Sequence, residues 1–230
     1  MGRDRKYEEP GIEIYLGDAR ELVDMIPDNS VDMVFTDPPY MRRYLPLYSW
    51  IGEAAARILG EDGFLFAYSG AYHKYEVMMR LGKYLNYFWD FVMVHSGRSS
   101  ICWKRKIISG YKSILCYCKG KNALPRCVAL GLLRSLGSDK RFHIWGQSEE
   151  TIRYLLDTFS RPGDLVVDPF LGGGTTAVVC KYLGRRFIGF EIDQDAFDIS
   201  VERVRCQGIP QDGEQLELIG EAEFCPGLPQ

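Results

Sequence analysis

Short apolar runs alternate along the chain with stretches whose apolar positions recur every three or four residues. That rhythm predicts strands alternating with amphipathic helices, the pattern of an α/β sheet covered on both faces. The runs predict strands at Ile12–Leu16, Val31–Thr36, Gly63–Ser69, Tyr87–His95, Ser113–Cys118, Leu165–Asp168 and Phe187–Ile192. The periodic stretches predict helices near Ala19–Ile26, Leu47–Leu59, Tyr72–Leu81, Glu149–Phe159, Thr175–Leu183 and Asp195–Gln207. Several strands are built around solid apolar runs, as expected where both faces are buried. Residues 1–230 read as one doubly wound α/β domain built on a mostly parallel seven-stranded sheet. Residues 96–142 interrupt the rhythm and read as an insert. Residues 211–230 carry acids and no basic residue, an acidic tail or edge element.

Charge sharpens the insert. The formal net charge is -3. Between Asp90 and Asp139, however, no acid occurs and Arg98, Lys104, Arg105, Lys106, Lys112, Lys119, Lys121, Arg126 and Arg134 give +9, leaving -12 for the rest. A basic segment inside an acidic protein is the footprint of a polyanion, or else a solvated face. The seven cysteines form no CxxC pair, and with three histidines no metal site is expected. Reduced thiols, a polar start and no membrane-spanning run predict a cytoplasmic protein without a membrane partner.

Two motifs carry chemistry. The first, Asp37-Pro38-Pro39-Tyr40, follows the strand Val31–Thr36 directly. Prolines fix φ and remove backbone donors, so this turn presents carbonyls, a carboxylate and a ring. Such a site suits a base amine, which donates hydrogen bonds and stacks. Acceptors at Asp37 and a proline carbonyl would orient its nitrogen toward an incoming methyl, and Tyr40 would stack on the base. On this reading the phenol oxygen of Tyr40 has no assigned role. A base within a duplex must first be flipped out. The alternative is a rigid turn with no function.

The second motif is Asp168-Pro169-Phe170-Leu171-Gly172-Gly173-Gly174-Thr175-Thr176, between a strand and a helix. Glycines there let a ligand approach the backbone, and Thr175 is placed to cap the helix. Glu191 ends the next strand, where an acid binds ribose hydroxyls. Gly172, Gly174 and Ala177 nearly match a dinucleotide fingerprint, but Asp168 is ill placed beside a pyrophosphate and well placed beside a methionine ammonium. S-adenosylmethionine is therefore the expected cofactor, with a dinucleotide or a purely structural turn as alternatives. Asp18, after the first strand, is expected to accept from the cofactor's adenine amine, to cap the following helix, or to do both.

With both motifs in place, the chain resembles the β group of amino-methyltransferases, the N4-cytosine/N6-adenine DNA methylases. The resemblance runs from Gly17-Asp18 through Thr36–Tyr40 to Arg161-Pro162-Gly163-Asp164, Asp168–Thr176 and Phe187–Asp193. It implies a circularly permuted, Rossmann-like class I methyltransferase fold, because the amine motif precedes the cofactor motif. It implies direct methyl transfer to an exocyclic amine of double-stranded DNA, with Asp37, Pro38, Pro39 and Tyr40 as the catalytic turn. Asp at position 37 resembles the adenine enzymes more than the cytosine ones, so adenine N6 is the expected target and cytosine N4 the alternative. Asp18, Asp37, Asp168, Phe170, Gly172, Gly174, Thr175, Thr176 and Glu191 are the expected cofactor residues. Arg42, Arg43, Arg98, Lys104, Arg105, Lys106 and Lys112 are the expected DNA contacts, with the insert reading the target sequence. Gln147-Ser148 stands where the family often has Lys-Pro near the methionine carboxylate. A stand-alone methylase of a bacterium, phage or mobile element is expected, as monomer or homodimer. An RNA base, a protein glutamine amide, and a non-catalytic DNA-binding protein that kept the fold are the other readings.

Overall fold

The structure, a computed structural model, describes residues 6–95, 100–135 and 149–206. Arg98, Gln147, Ser148 and residues 211–230 lie outside the described residues.

The strands are β1 (Lys6–Glu9), β2 (Ile12–Leu16), β3 (Val31–Thr36), β4 (Leu59–Ser69), β5 (Asn86–His95), β6 (Ser100–Cys102), β7 (Ile107–Ser109), β8 (Tyr111–Cys118), β9 (Leu132–Ser135), β10 (Leu165–Asp168) and β11 (Arg186–Glu191). The helices are α1 (Ala19–Leu22), α2 (Leu45–Ile58), α3 (Lys74–Leu81), α4 (Glu149–Phe159), α5 (Thr175–Tyr182) and α6 (Gln194–Cys206). Nine strands form one sheet in the order β1-β2-β11-β10-β3-β4-β8-β5-β9, while β6 and β7 pair as a separate ribbon. From β2 to β4 all neighbours are parallel; β8 runs antiparallel between β4 and β5. All seven expected strands are present. The two additions, β1 and β9, are four-residue edge strands, too short and too mixed in polarity to stand out. Residues 96–142 divide: β8 belongs to the main sheet, and the β6–β7 ribbon leaves it.

Alternation along the strands builds two cores. Met33, Phe35, Phe64, Phe66 and Tyr68 face α4, α5 and α6, where Leu155, Phe159, Val178 and Phe197 meet them. Val34, Leu65, Ala67, Leu115 and Val167 face α1, α2 and α3, packing with Ala19, Ile51, Ala55 and Leu81. Phe159 locks the first core edge-on, 5.1 Å from Phe64 and 5.0 Å from Phe66. Helices thus cover both faces, and the chemistry is left to the strand ends.

The chain order places a crevice there. From β10 the chain moves one way, to β11; from β3 it moves the other way, to β4. Ligands bind outside the carboxyl ends of strands at such a switch point. β10 and β3 are neighbours, with Val166 opposite Met33 and Val167 opposite Val34. The motifs that follow them therefore emerge side by side, although some 130 residues separate them in the chain.

Candidate active site

The turn after β3 leaves the sheet with Pro38 buried and Pro39 exposed. Asp37 is partly exposed, and the Tyr40 hydroxyl donates a short hydrogen bond to its Oδ1. Burial, and next the charge of Asp37, hold that phenol well above its usual pKa, so it stays a neutral donor. The expectation that the phenol oxygen is idle is corrected: it orients the carboxylate. Gly70 makes room for the ring, since a Cβ there would stand 3.1 Å from Tyr40 Cβ.

Lys112, one of the expected DNA contacts, lies beside this turn. From β8 its Nζ approaches Asp37 Oδ2 at 4.0 Å and sits over the rings of Tyr40 and Tyr68, 5.3 and 5.6 Å from their centroids. Tyr68, at the end of β4, is fully buried, and its hydroxyl has no hydrogen-bond partner among the described residues. Burial and then the charges of Asp37 and Asp168 raise its pKa well above normal. Tyr68 had no signal in the sequence, and Lys112 had one only as a member of the basic segment. Only the β4–β8 pairing brings Lys112 to the turn, and only strand parity with Phe64 and Phe66 places Tyr68.

The turn after β10 is braced from three sides. Asp168 is 3% exposed; its Oδ1 accepts the Phe170 N–H at 3.0 Å and its Oδ2 the Thr176 hydroxyl at 2.8 Å. Burial pushes its pKa up to about 7 against the pull of Thr176, the Phe170 N–H and the Thr36 hydroxyl, and Asp37 adds to the rise. Glu191, partly buried, takes the Gly172 N–H at 2.7 Å on one oxygen and the Asp193 N–H at 2.8 Å on the other. Arg203 from α6 donates to the Gly173 carbonyl at 2.5 Å, to Thr175 Oγ1 at 3.1 Å and to Glu149 at 2.7 Å. Arg203 had drawn no notice in the sequence, where it is one charge on a helix.

Thr175 does not cap α5; Gly174 occupies the cap position at φ +81° without a side-chain bond, and Thr175 is the first helical residue. Gly174 has two reasons to be glycine, since a Cβ would lie 2.7 Å from Ser200 Cβ as well. Gly172, at φ +56°, has nothing within 4 Å of such a Cβ and leaves open space over the turn. Phe170, partly buried, meets Trp50 edge-on at 6.1 Å, and Ile192 beside Glu191 is 70% exposed. Asp18 caps α1: it accepts the Arg20 N–H at 2.9 Å and pairs with the Arg20 guanidinium at 2.5 Å. The Arg20 side chain lowers its pKa.

The basic segment does not form one patch. Lys119 donates to the Leu59 carbonyl at 2.7 Å, and Arg126 to the Asp157 carbonyl at 3.0 Å, so both tie the fold together. Lys104, Arg105 and Lys106 are exposed at the tip of the β6–β7 ribbon. The ribbon joins β5 to β8 at the end of the sheet that carries Asp37. Arg42 and Arg43 are exposed just after the Asp37–Tyr40 turn, with Arg43 over the Tyr44 ring.

Comparison with known proteins follows the same lines. The N6/N4-methylase family model, described as DNA methylase, matches residues 135–202, which include the second motif and Glu191. The type II methyltransferase M.HinfI of Haemophilus influenzae is 26% identical, over 89% of this chain and 72% of that protein. Among solved structures, the cytosine-N4-specific PvuII DNA methyltransferase superposes with a TM-score of 0.74 at 20% identity, covering 84% of this chain and 86% of that one. The complex of M1.HpyAVI with S-adenosylmethionine gives 0.70 at 23% identity, covering 84% and 98%. These likenesses confirm the permuted, Rossmann-like class I methyltransferase fold.

Proposed function

We propose that this chain is an amino-DNA methyltransferase of the N4-cytosine/N6-adenine type that uses S-adenosylmethionine, and that Asp37, Pro38, Pro39 and Tyr40 receive a flipped DNA base and present its exocyclic amine to the methyl donor. The observation that carries this is the juxtaposition of Asp37 and Asp168 at the ends of neighbouring parallel strands. The residues fit the cofactor. Asp168 is a buried carboxylate without a cationic partner among the described residues, the situation that a methionine ammonium relieves. The Tyr68 hydroxyl, unpartnered among the described residues, is a buried donor that feels the charges of Asp37 and Asp168, and it matches the methionine carboxylate or the incoming base. Glu191 keeps lone pairs for ribose hydroxyls, and Ile192 offers an apolar face to the adenine ring. When bound, S-adenosylmethionine supplies an electrophilic methyl group.

The chain's own part is orientation. Asp37 accepts an amine N–H and, held by Tyr40, keeps its direction through the reaction. The ring of Tyr40 stacks on the base, and Lys112 stands behind both. As positive charge reaches the amine nitrogen, the carboxylate of Asp37 stabilises it, an interaction stronger in the transition state than in the ground state.

For the base, we take cytosine N4 as the first reading. It replaces adenine N6 because the relative above whose description names a base is cytosine-N4-specific and superposes at 0.74. Asp37 keeps adenine N6 as the second. Incubating the protein with plasmid DNA and isotope-labelled S-adenosylmethionine, then digesting to nucleosides, tests all of this. N4-methylcytosine is expected. N6-methyladenine would overturn the base assignment, and no label in DNA would overturn the function.

A further inference from the structure

The β6–β7 ribbon carries an exposed surface that the catalytic chemistry does not use. Trp103 at its tip is 79% exposed, and Ile101, Ile107 and Ile108 along its strands are 46%, 56% and 67% exposed. A ribbon of three residues a side, paired to nothing else, is marginal in water and gains nothing from displaying an indole there. The tip is nonetheless well formed. The Arg105 N–H donates to the Cys102 carbonyl at 3.1 Å, that of Lys106 to the Trp103 carbonyl at 3.3 Å, and Lys106 takes φ +54°. Arg105 also lies over the ring of Tyr72, 4.5 Å from its centroid, which moors the ribbon to the segment after β4. Gly70 in that segment packs on Tyr40, so the moored ribbon stands beside the amine site.

The tip sequence is Trp103-Lys104-Arg105-Lys106, an aromatic plane next to three cations and no acid. Charge complementarity selects a polyanion as the occupant. The indole selects one with planar groups to stack on. Double-stranded DNA with a base removed from its stack meets both needs.

We propose that Trp103 is a wedge: it enters the duplex beside the target base, stacks in the space left by flipping, and is held there by phosphate contacts from Lys104 and Lys106. This deepens the DNA-methylase reading and rests on it. Apolar side chains inserted between base steps are a known means of offsetting unstacking. The wedge acts on flipping rather than on sequence choice, which separates it from residues that read base edges.

The test uses the full chain and a short duplex carrying the site that sequencing of methylated plasmid reveals. Indole emission should fall when the duplex binds wild type, and the fall should be largely absent in Trp103→Phe. Trp103→Ala should slow methyl transfer to the fully paired duplex by about tenfold or more. Pairing the target base with a mismatch, which eases flipping, should restore most of that loss, while S-adenosylmethionine affinity stays unchanged. Trp103→Phe, which keeps a π-face, should retain most activity. Equal slowing of Trp103→Ala on paired and mismatched duplexes would overturn the wedge, as would a wild-type rate on both. Dissociation of a dimer on Trp103→Ala with methylation unchanged would assign the ribbon to a second copy of the chain instead. Wild type failing to methylate any DNA would refute the underlying function, an outcome distinct from all of these.

Discussion

Asp168→Asn separates the demands of the fold from those of the cofactor. In the folded protein the carboxyl is buried and titrates at about 7, against an ordinary 3.8. That rise corresponds to about 4 kcal/mol at most, reached only where the group must ionise while buried. The folded state holds its proton more tightly than the unfolded state does. Stability should therefore fall as pH climbs from about 4 and level off above about 7. The asparagine variant keeps an acceptor for the Phe170 N–H, and the Thr176 hydroxyl can turn to suit the amide. It cannot titrate, so that fall should vanish, and at pH 8 the variant should be the more stable without cofactor. With S-adenosylmethionine the ranking should reverse. Cofactor affinity should drop at least about tenfold, the loss of one charged hydrogen bond. Near pH 7 wild type should expel about half a proton on binding, read by calorimetry as an enthalpy that varies with the buffer. Denaturant titrations from pH 4 to 8 check the first claim. Parallel stability curves for the two proteins would refute the assignment of a buried, titrating Asp168, and unchanged cofactor affinity would refute its role beside the ammonium.

Other outcomes follow from the same geometry. Asp37→Ala should fold normally and lose methyl transfer by about 10²-fold or more; Tyr40→Phe should lie between wild type and Tyr40→Ala in kcat, because the ring stacks and the hydroxyl holds Asp37. Lys112→Met should lower kcat and leave the salt dependence of DNA binding unchanged, since Lys112 faces Asp37. Replacing Lys104, Arg105 and Lys106 with Ala should instead weaken DNA binding and flatten the slope of log affinity against log salt by up to about 2.7. Gly174→Ala should cost at least about 2 kcal/mol by thermal denaturation, from a left-handed backbone and a clash with Ser200.

The strands and helices that position the site were legible because each is a local pattern. Met33-Val34-Phe35 and Leu165-Val166-Val167 are apolar runs with an aspartate close behind, and the structure ends β3 at Thr36, just before Asp37, and β10 at Asp168. Glycine at 174 was legible as a turn, though its clash with Ser200 on α6 is a tertiary fact. Adjacency was what the sequence withheld. Lys112 looked like its basic neighbours, and only the pairing of β8 with β4 turns it toward Asp37 rather than toward solvent. Lys119 and Arg126 counted toward a DNA footprint until carbonyls of the fold took them up. The role of the Tyr40 hydroxyl was hidden likewise, because a stacking ring accounts for a tyrosine without it.

The strand order β2-β11-β10-β3 also bears on how the chain comes together during synthesis. β2 and β3 are made early, only a few turns of chain apart, yet they never touch as neighbours. Until β10 and β11 emerge, the growing sheet consists of two unconnected pieces: β1 with β2, and β3 with β4, β8, β5 and β9. The late strands fill the gap as a pair. Such long-range parallel pairing is slow to nucleate. The step that makes the sheet continuous is the same step that carries Asp168 to Asp37. In a nascent chain whose first motif is already made, the proposed cofactor site is therefore still incomplete, and the same strands that complete it join the two parts of the sheet.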